Sequence, residues 1–360
     1  MPINLFNNPL SSIKLGVNDI LKGYIGNDEI FPNLITIEFT SISGLGLTYT
    51  LPPSQTGDPG ASYPSTTFTI SGAASEILQV SSFAMTNLPS TLSAVVSGGG
   101  NTNSLTVTIS GTFPTVGVGA ITSVVSGITV STAYLAHFLM VGGGGSAGSG
   151  YVSSGGGGGG VRTSFAPNGG GQSVDAQPTL IPGTTYTVTV AAIGAYSTIS
   201  GTPFNNIVAT GGNNGSGSTA STQSGASAGS YGYSGGGSNA SSWAAGGGGG
   251  AGGAGNSSSG YATGGFNGGA PVVNAITGSN VNYGSGGRGY TGNYGSGSST
   301  PSAYGKGGDA NGGAGQPGVV ILRVPTVSLG TISGTHTTGT TNGGADTWIE
   351  WTGSGSYVAW

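Results

Sequence analysis

The 360-residue chain has no cysteine and very little charge. Without cysteine there is no disulfide framework and no thiolate metal site. Charged residues are 4% of the total, six Lys and Arg against ten Asp and Glu, with a net charge of −4. Six scattered cations cannot neutralise a phosphate track, which excludes a nucleic-acid footprint. No apolar run approaches the roughly 20 residues of a membrane helix, so no membrane insertion is expected. Met1-Pro2-Ile3-Asn4 lacks the basic start and apolar core of a secretory signal, so synthesis in the cytosol without self-directed export is expected. Apolar residues at helical spacing occur only around 74–80, too short a stretch to support a helix. A free monomer normally needs charge to stay soluble; this Ser/Thr/Asn/Gly surface suits a chain held in a larger assembly or facing saccharides.

What the chain has instead is glycine. Residues 142–318 hold 56 of its 78 glycines, about a third of that segment, with no Gly-X-Y period. Such composition often marks a disordered linker, because glycine loses the most entropy on ordering and packs nothing. Here the segment is read as an ordered domain. It is bracketed by Leu135-Ala136-His137-Phe138-Leu139-Met140-Val141 and by Val319-Val320-Ile321-Leu322-Arg323-Val324. Both runs are apolar at nearly every position, as strands buried on both faces are. They are expected to pair side by side. Thr184–Val190 and, more weakly, 205–210 add strands inside the segment. For the runs Gly155–Gly160 and Gly246–Gly250 an α-helix is costly, roughly 1 kcal/mol per glycine relative to alanine. A left-handed threefold helix of the polyproline type needs no side chains, and several such rods can pack through backbone hydrogen bonds. Tyrosines would then occupy turns and outer faces.

The remaining segments read as β structure. Residues 1–33 carry a near-repeat, Leu15-Gly16-Val17-Asn18-Asp19-Ile20 and Ile25-Gly26-Asn27-Asp28-Glu29-Ile30, with hairpin-turn chemistry in each half. This β-arm is too small for its own core and would dock elsewhere; Leu15, Tyr24, Ile25 and Phe31 are the candidate attachment residues. Residues 34–133 alternate apolar and polar in short Thr/Val/Ile runs between turn signals such as Asp58-Pro59-Gly60. Six or seven such strands in about 100 residues suggest an immunoglobulin-like β-sandwich. Residues 326–360 form a C-terminal β element, with a hairpin signal at Asn342-Gly343-Gly344 and aromatic strands at 347–352 and 357–360. The fold class expected is all-β: arm (1–33), sandwich (34–133), glycine-rich domain (134–325) and C-terminal element (326–360).

Three stretches resemble the glycine-rich virion structural proteins, of tail fibre or adhesin type, of marine tailed bacteriophages. They are Ile13–Ile20 with Gly23-Tyr24-Ile25-Gly26, the lead-in Phe138–Gly145, and the way out through Gly313–Arg323. The resemblance implies a virion component. Some related adhesin tips fold their glycine runs into packed polyglycine helices.

Chemistry for catalysis is not legible, and no enzyme is expected. Catalysis needs clustered ionisable groups. Of the two histidines, His137 lies inside an apolar strand and reads as a hydrogen-bonded core residue, and His336 sits in a Thr-rich turn. Asp346 and Glu350 would meet only across the last hairpin, and solvated surface is the simpler reading. The many Gly-x-Gly-x-x-Gly matches follow from composition, and none opens a helix after a strand. No cofactor or metal is implied. Arg162, Arg288 and Lys306, the cations of the glycine-rich region, would bond loop carbonyls or anchor acidic sugars. Aromatic rings can stack on sugar faces while Asn, Ser and Thr serve the hydroxyls. The candidate receptor-binding residues are Tyr231, Tyr233, Trp243, Tyr261, Phe266, Tyr290 and Tyr294.

The function expected is a tail fibre or adhesin attached to the particle by its N-terminus, with other tail or baseplate proteins and a host-surface receptor as partners, and a trimer as the default assembly. The alternatives are an architectural head fibre, decoration or tail-collar protein without a receptor and, more weakly, a depolymerising enzyme.

Overall fold

The computed structural model describes residues 34–73, 76–97, 103–205, 207–218, 226–238, 243–257, 266–292 and 295–360, and before these the backbone of Tyr24–Ile25 and Asp28–Glu29. It is all-β, with helical structure confined to three short 3₁₀ turns among the described residues. Among the described residues no helix is long and apolar enough to cross a membrane. The chain divides into two compact units, Met1–Val130 and Ser131–Trp360.

In the first unit, Tyr24 faces Glu29 and Ile25 faces Asp28 in a small antiparallel ribbon, at the second half of the near-repeat. Leu15 and Phe31 lie outside the described residues. One sheet runs in the order Thr48–Tyr49, Ser62–Ser71, Ser104–Thr112, Leu92–Ser97. A second runs Phe39–Ser43, Ile121–Thr132, Glu76–Met85. Alternation decides which face each residue takes: Leu105, Val107 and Ile109 are buried, while Ser104 and Thr106 are exposed. Residues from both sheets, including Ile42, Phe68, Ile70, Leu78 and Val125, share one apolar core. The alternating stretch 34–40 is two strands. Ile35–Ile37 pairs with Gln55–Gly57, and Phe39–Ser43 continues beyond Glu38 into the second sheet, parallel to Ile121–Thr132. Of the stretch with weak helical spacing, the described residues 76–80 belong to the strand Glu76–Met85; residues 74 and 75 lie outside the described residues.

The second unit is built on the two apolar runs that bracket the glycine. The inbound strand His137–Val141 pairs antiparallel with the outbound strand Val319–Pro325, His137 opposite Arg323 and Val141 opposite Val319. The ends of the glycine-rich excursion therefore meet, as the sequence predicts. Each face of this pair feeds a different core. Phe138, Met140, Val320 and Leu322 join Tyr186, Val188, Phe204, Trp351 and Tyr357. Leu139, Val141, Val319 and Ile321 join Val161, Val272, Ile276 and Tyr283. The sheet around the pair runs Val161–Thr163, inbound, outbound, Asp346–Val358, Thr185–Thr189, Ser197–Ser200, Ile207–Ala209, and Thr331–Thr341 also pairs with Asp346–Val358. The C-terminal hairpin thus belongs to this sheet. Its second arm is one 13-residue strand, unbroken at Gly353-Ser354-Gly355-Ser356. The pairing steps from Gly334↔Gly355 to His336↔Trp351, so residues 352–354 bulge within this strand opposite Thr335, and Gly355 allows the close approach, since a Cβ there would lie 2.2 Å from Ser333 O.

Above the pair, Gly155–Gly160 forms the axis of the glycine-rich part. Its N–H groups donate in turn to the carbonyls of Gly246, Gly308, Asn213, Gly249, Gly305 and Thr210, at 2.8–3.3 Å. Partners recur every third residue: Gly155 and Gly158 serve the 246–249 segment, Gly156 and Gly159 the 305–308 segment, Gly157 and Gly160 the 210–213 segment. The carbonyls of the same run accept from Ala226, Gly287, Gly145, Gly229 and Gly142. Six segments therefore surround one. Side chains are excluded by distance: a Cβ at Gly155, Gly156, Gly157, Gly158 or Gly159 would fall 1.8–2.2 Å from a neighbouring carbonyl oxygen.

Gly157→Ala, whose Cβ would lie 1.9 Å from Ser227 O, is expected to destabilise the second unit by about 2–3 kcal/mol. Gly237→Ala, with Ser257 Oγ 3.8 Å from the added carbon, should change stability by no more than about 0.5 kcal/mol. Equilibrium denaturation of the two variants measures both, and equal effects would contradict the close-packed arrangement.

Candidate functional site

The glycine segments run up and down, so their turns collect at two ends. Gly142, Gly160, Thr210, Gly229, Gly284, Gly305 and Gly318 lie at the sheet end, joined by bonds such as Gly142 N to Gly160 O and Gly305 N to Pro317 O. The opposite, far end carries a small four-stranded sheet, Gly217–Ser218, Val152–Ser153, Tyr290–Thr291 and Gly295–Ser296.

Aromatic residues gather at this far end. Tyr151 is 40% exposed and meets Trp243 edge-on, ring centroids 5.3 Å apart. Tyr151 O accepts from Gly292 N, and the ring covers Gly292 so closely that a Cβ there would lie 2.2 Å from it. Tyr290 sits in the small sheet opposite Ser153 and Ser296. Phe266 O accepts from Gly289 N, one residue before Tyr290. Trp243 has φ +72°, a left-handed backbone that is uncommon for a bulky residue. Such conformations persist only where their surroundings enforce them.

Of the seven receptor-binding candidates, the fold brings Trp243, Phe266 and Tyr290 to the far end. Tyr261 and Tyr294 lie outside the described residues. Tyr231 and Tyr233 are at the sheet end: Tyr231, at φ +58°, lies under the Arg162 guanidinium at 5.0 Å, and Tyr233 N donates to Gly250 O. Tyr151 was not among the candidates. It follows a Gly-Ser-Gly turn, and only its partnership with Trp243, 92 positions later, sets it apart. Tyr283 is fully buried rather than on an outer face, beneath the sheet in the second of the two cores.

The cations are held internally. Arg162 Nε and Nη2 donate to Asp175 Oδ2 and Oδ1 at 2.9 and 3.0 Å. Lys306 Nζ meets Asp309 Oδ2 at 2.7 Å, and the backbone N of Arg288 donates to Asp309 Oδ1. Arg288 Nη1 reaches Gly297 O at 3.5 Å. Asp346 and Glu350 are not brought together. Asp346 accepts from Arg323 at 2.7 Å, and Glu350 accepts from the Tyr304 hydroxyl at 2.6 Å. Among the described residues no group of three or more His, Asp or Glu is placed to hold a metal ion. No protein-family model, no curated protein and no solved structure matches the chain.

His137 is half-buried at the sheet end. Its Nδ1 bonds Ser164 O at 3.2 Å, Gln177 Nε2 approaches its Nε2 at 2.6 Å, and its ring meets Phe165 edge-on. His336 bonds Gly334 O at the bulge.

Two titrations give the fold a pH dependence. Burial lowers the His137 pKa below 6.5, and nearby Arg323 lowers it further against the opposing Ser164 carbonyl and Asp346. Burial alone would raise Asp309, but Lys306 and the Arg288 N–H bring it below 3.8. In both cases the unfolded chain binds more protons as acid is added, so stability falls with falling pH. For His137 the loss begins below about pH 6.5, and for Asp309 below about pH 4. Melting temperature measured against pH should show both declines. His137→Asn, which keeps a donor for Ser164 O, should flatten the upper one, and Lys306→Met should shrink the lower.

Proposed function

We propose that the chain is a structural and binding protein of a phage virion, a tail fibre or adhesin whose glycine-rich unit presents its far end to a host-surface saccharide or outer-membrane receptor. The observation that carries this reading is the gathering of Tyr151, Trp243, Phe266 and Tyr290 at the end of the glycine segments away from the sheet. Rings held over glycine backbone offer flat apolar faces at little entropic cost, and Asn, Ser and Thr beside them serve hydroxyls.

The finer architecture belongs to the same proposal. The glycine segments are read as packed polyglycine helices. The three-residue recurrence of partners around Gly155–Gly160 supports this, because a threefold helix turns each third residue toward the same neighbour. The first unit is read as an immunoglobulin-like sandwich, supported by two sheets enclosing one core. In this reading the N-terminal arm attaches the protein to other tail or baseplate proteins, the assembly is a homotrimer, and the chain is made in the host cytoplasm.

Particles carrying Tyr151→Ala, Trp243→Ala and Tyr290→Ala together should assemble normally, and their affinity for host cells in an adsorption assay should fall at least about tenfold, a loss of about 1.4 kcal/mol or more in binding. Unchanged adsorption by such particles would favour a purely architectural part of the virion.

A further inference from the structure

The sheet of the second unit is nearly closed. Its edge strands are Val161–Thr163 and Ile207–Ala209. They come together where Gly160 N donates to Thr210 O at 2.9 Å. Further along the seam a cleft of about 450 Å³ opens, lined among others by Arg162, Asp175, Gln177, Pro203, Asn205 and Ile207. Its size falls within the range of small-molecule sites, and the mouth of a barrel is a common place for one.

The chemistry of the lining narrows the ligand. Arg162 and Asp175 form a bidentate pair with side chains 23% and 19% exposed. The pair is neutral in sum. A guanidinium has five N–H donors and a carboxylate about four acceptor sites, so two mutual bonds leave donors and acceptors adjacent in one plane. Gln177 and Asn205 each add an amide with both functions. Every sugar hydroxyl donates and accepts, so neighbouring hydroxyls of a pyranose match such a plane. An anionic or cationic ligand would meet both signs at once and gain little. Pro203 and Ile207 supply apolar wall for the C–H face of a ring.

The lining is also held in place. The Arg162 guanidinium lies on the Tyr231 ring at 5.0 Å, and Gln177 is bonded to His137. Phe204 lies fully buried behind the wall, edge-on to Phe138 and Tyr186. Asn205 has φ +38°, a conformation that costs a non-glycine residue energy and that collects at ligand-binding sites.

We propose that this seam is a second binding site, which takes a single neutral pyranose unit through its vicinal hydroxyls, with Arg162, Asp175, Gln177 and Asn205 as polar contacts. The site is independent of the far-end aromatics and of the virion reading.

The test uses the purified full chain. The probes are the methyl glycosides of glucose, galactose, mannose and N-acetylglucosamine, with glucuronic acid and glucosamine as charged counterparts. Saturation-transfer NMR and calorimetric titration provide the readouts. At least one neutral glycoside is expected to bind with a Kd in the millimolar range or tighter, and the charged sugars at least about tenfold more weakly. Gln177→Ala should weaken binding at least about tenfold. Asn205→Gly separates function from folding, because it relieves the backbone while removing the amide: the melting temperature should hold or rise as binding falls. Tyr151→Ala with Trp243→Ala should leave this binding unchanged. The proposal is overturned if no neutral glycoside binds, if a charged sugar binds more tightly, or if Gln177→Ala and Asn205→Gly together leave the affinity intact.

Discussion

The second unit depends on backbone approaching backbone more closely than any side chain allows. Around Gly155–Gly160 a single added carbon would come within about 2 Å of a carbonyl oxygen at five successive positions. The same absence of side chains makes the arrangement expensive to order. Fixing one residue's backbone costs roughly 1–2 kcal/mol, and glycine stands at the high end. A net backbone hydrogen bond returns about 0.5–1.5 kcal/mol. The glycine segments alone therefore sit near balance, and the surplus must come from elsewhere. It comes from the inbound and outbound strands, which bury apolar residues on both faces and hold the two ends of the excursion in register.

This division of labour accounts for the composition. Where the glycine segments meet there is no room for side chains, so charge and bulk are pushed to their ends or outer sides. The described cations of the region show both: Arg162 follows Gly160 and pairs with Asp175, Lys306 lies within the 305–308 segment and pairs with Asp309, and Arg288 bonds Gly297 O. At the far end the constraint holds at particular glycines, such as Gly217 and Gly292, where a Cβ would lie 1.7 Å from Ser149 O and 2.2 Å from the Tyr151 ring. The side chains there can change without disturbing the contacts of Gly155–Gly160.

Much of this was legible in the sequence because it rests on local signals. Nearly unbroken apolar runs at 137–141 and 319–324 announced strands buried on two faces, and Asn342-Gly343-Gly344 announced a turn, with Gly343 at φ +66° and Gly344 at φ +91°. Other features depend on partners far away in the chain. The strand Asp346–Val358 runs through a Gly-Ser stretch that looks like a break; the stretch bulges within the strand, and the pairing with Thr331–Thr341 resumes on either side of it. Glu38 is an ordinary alternating residue by pattern, yet the strands on either side of it go to different partners. Tyr231 and Trp243 lie twelve positions apart in similar Gly/Ser surroundings. The direction of each rod sends one to the sheet end and the other to the far end, and nothing within twelve residues encodes that direction.

The wrapping of Gly155–Gly160 also constrains how the unit can form. Its six neighbours come from positions as far apart as Gly142 and Gly308, and each satisfies a different set of its donors and acceptors. Removing any one neighbour exposes backbone groups on several others, so partial arrangements retain little of the final hydrogen bonding. Contacts of such high sequence separation form slowly, because loop closure is charged before they are made. The inbound and outbound strands shorten that search: once His137 lies against Arg323, the 185 intervening residues form a closed loop whose remaining contacts are all internal to it. The apolar strand pair is then the part expected to form first, with the glycine segments ordered by being confined above it.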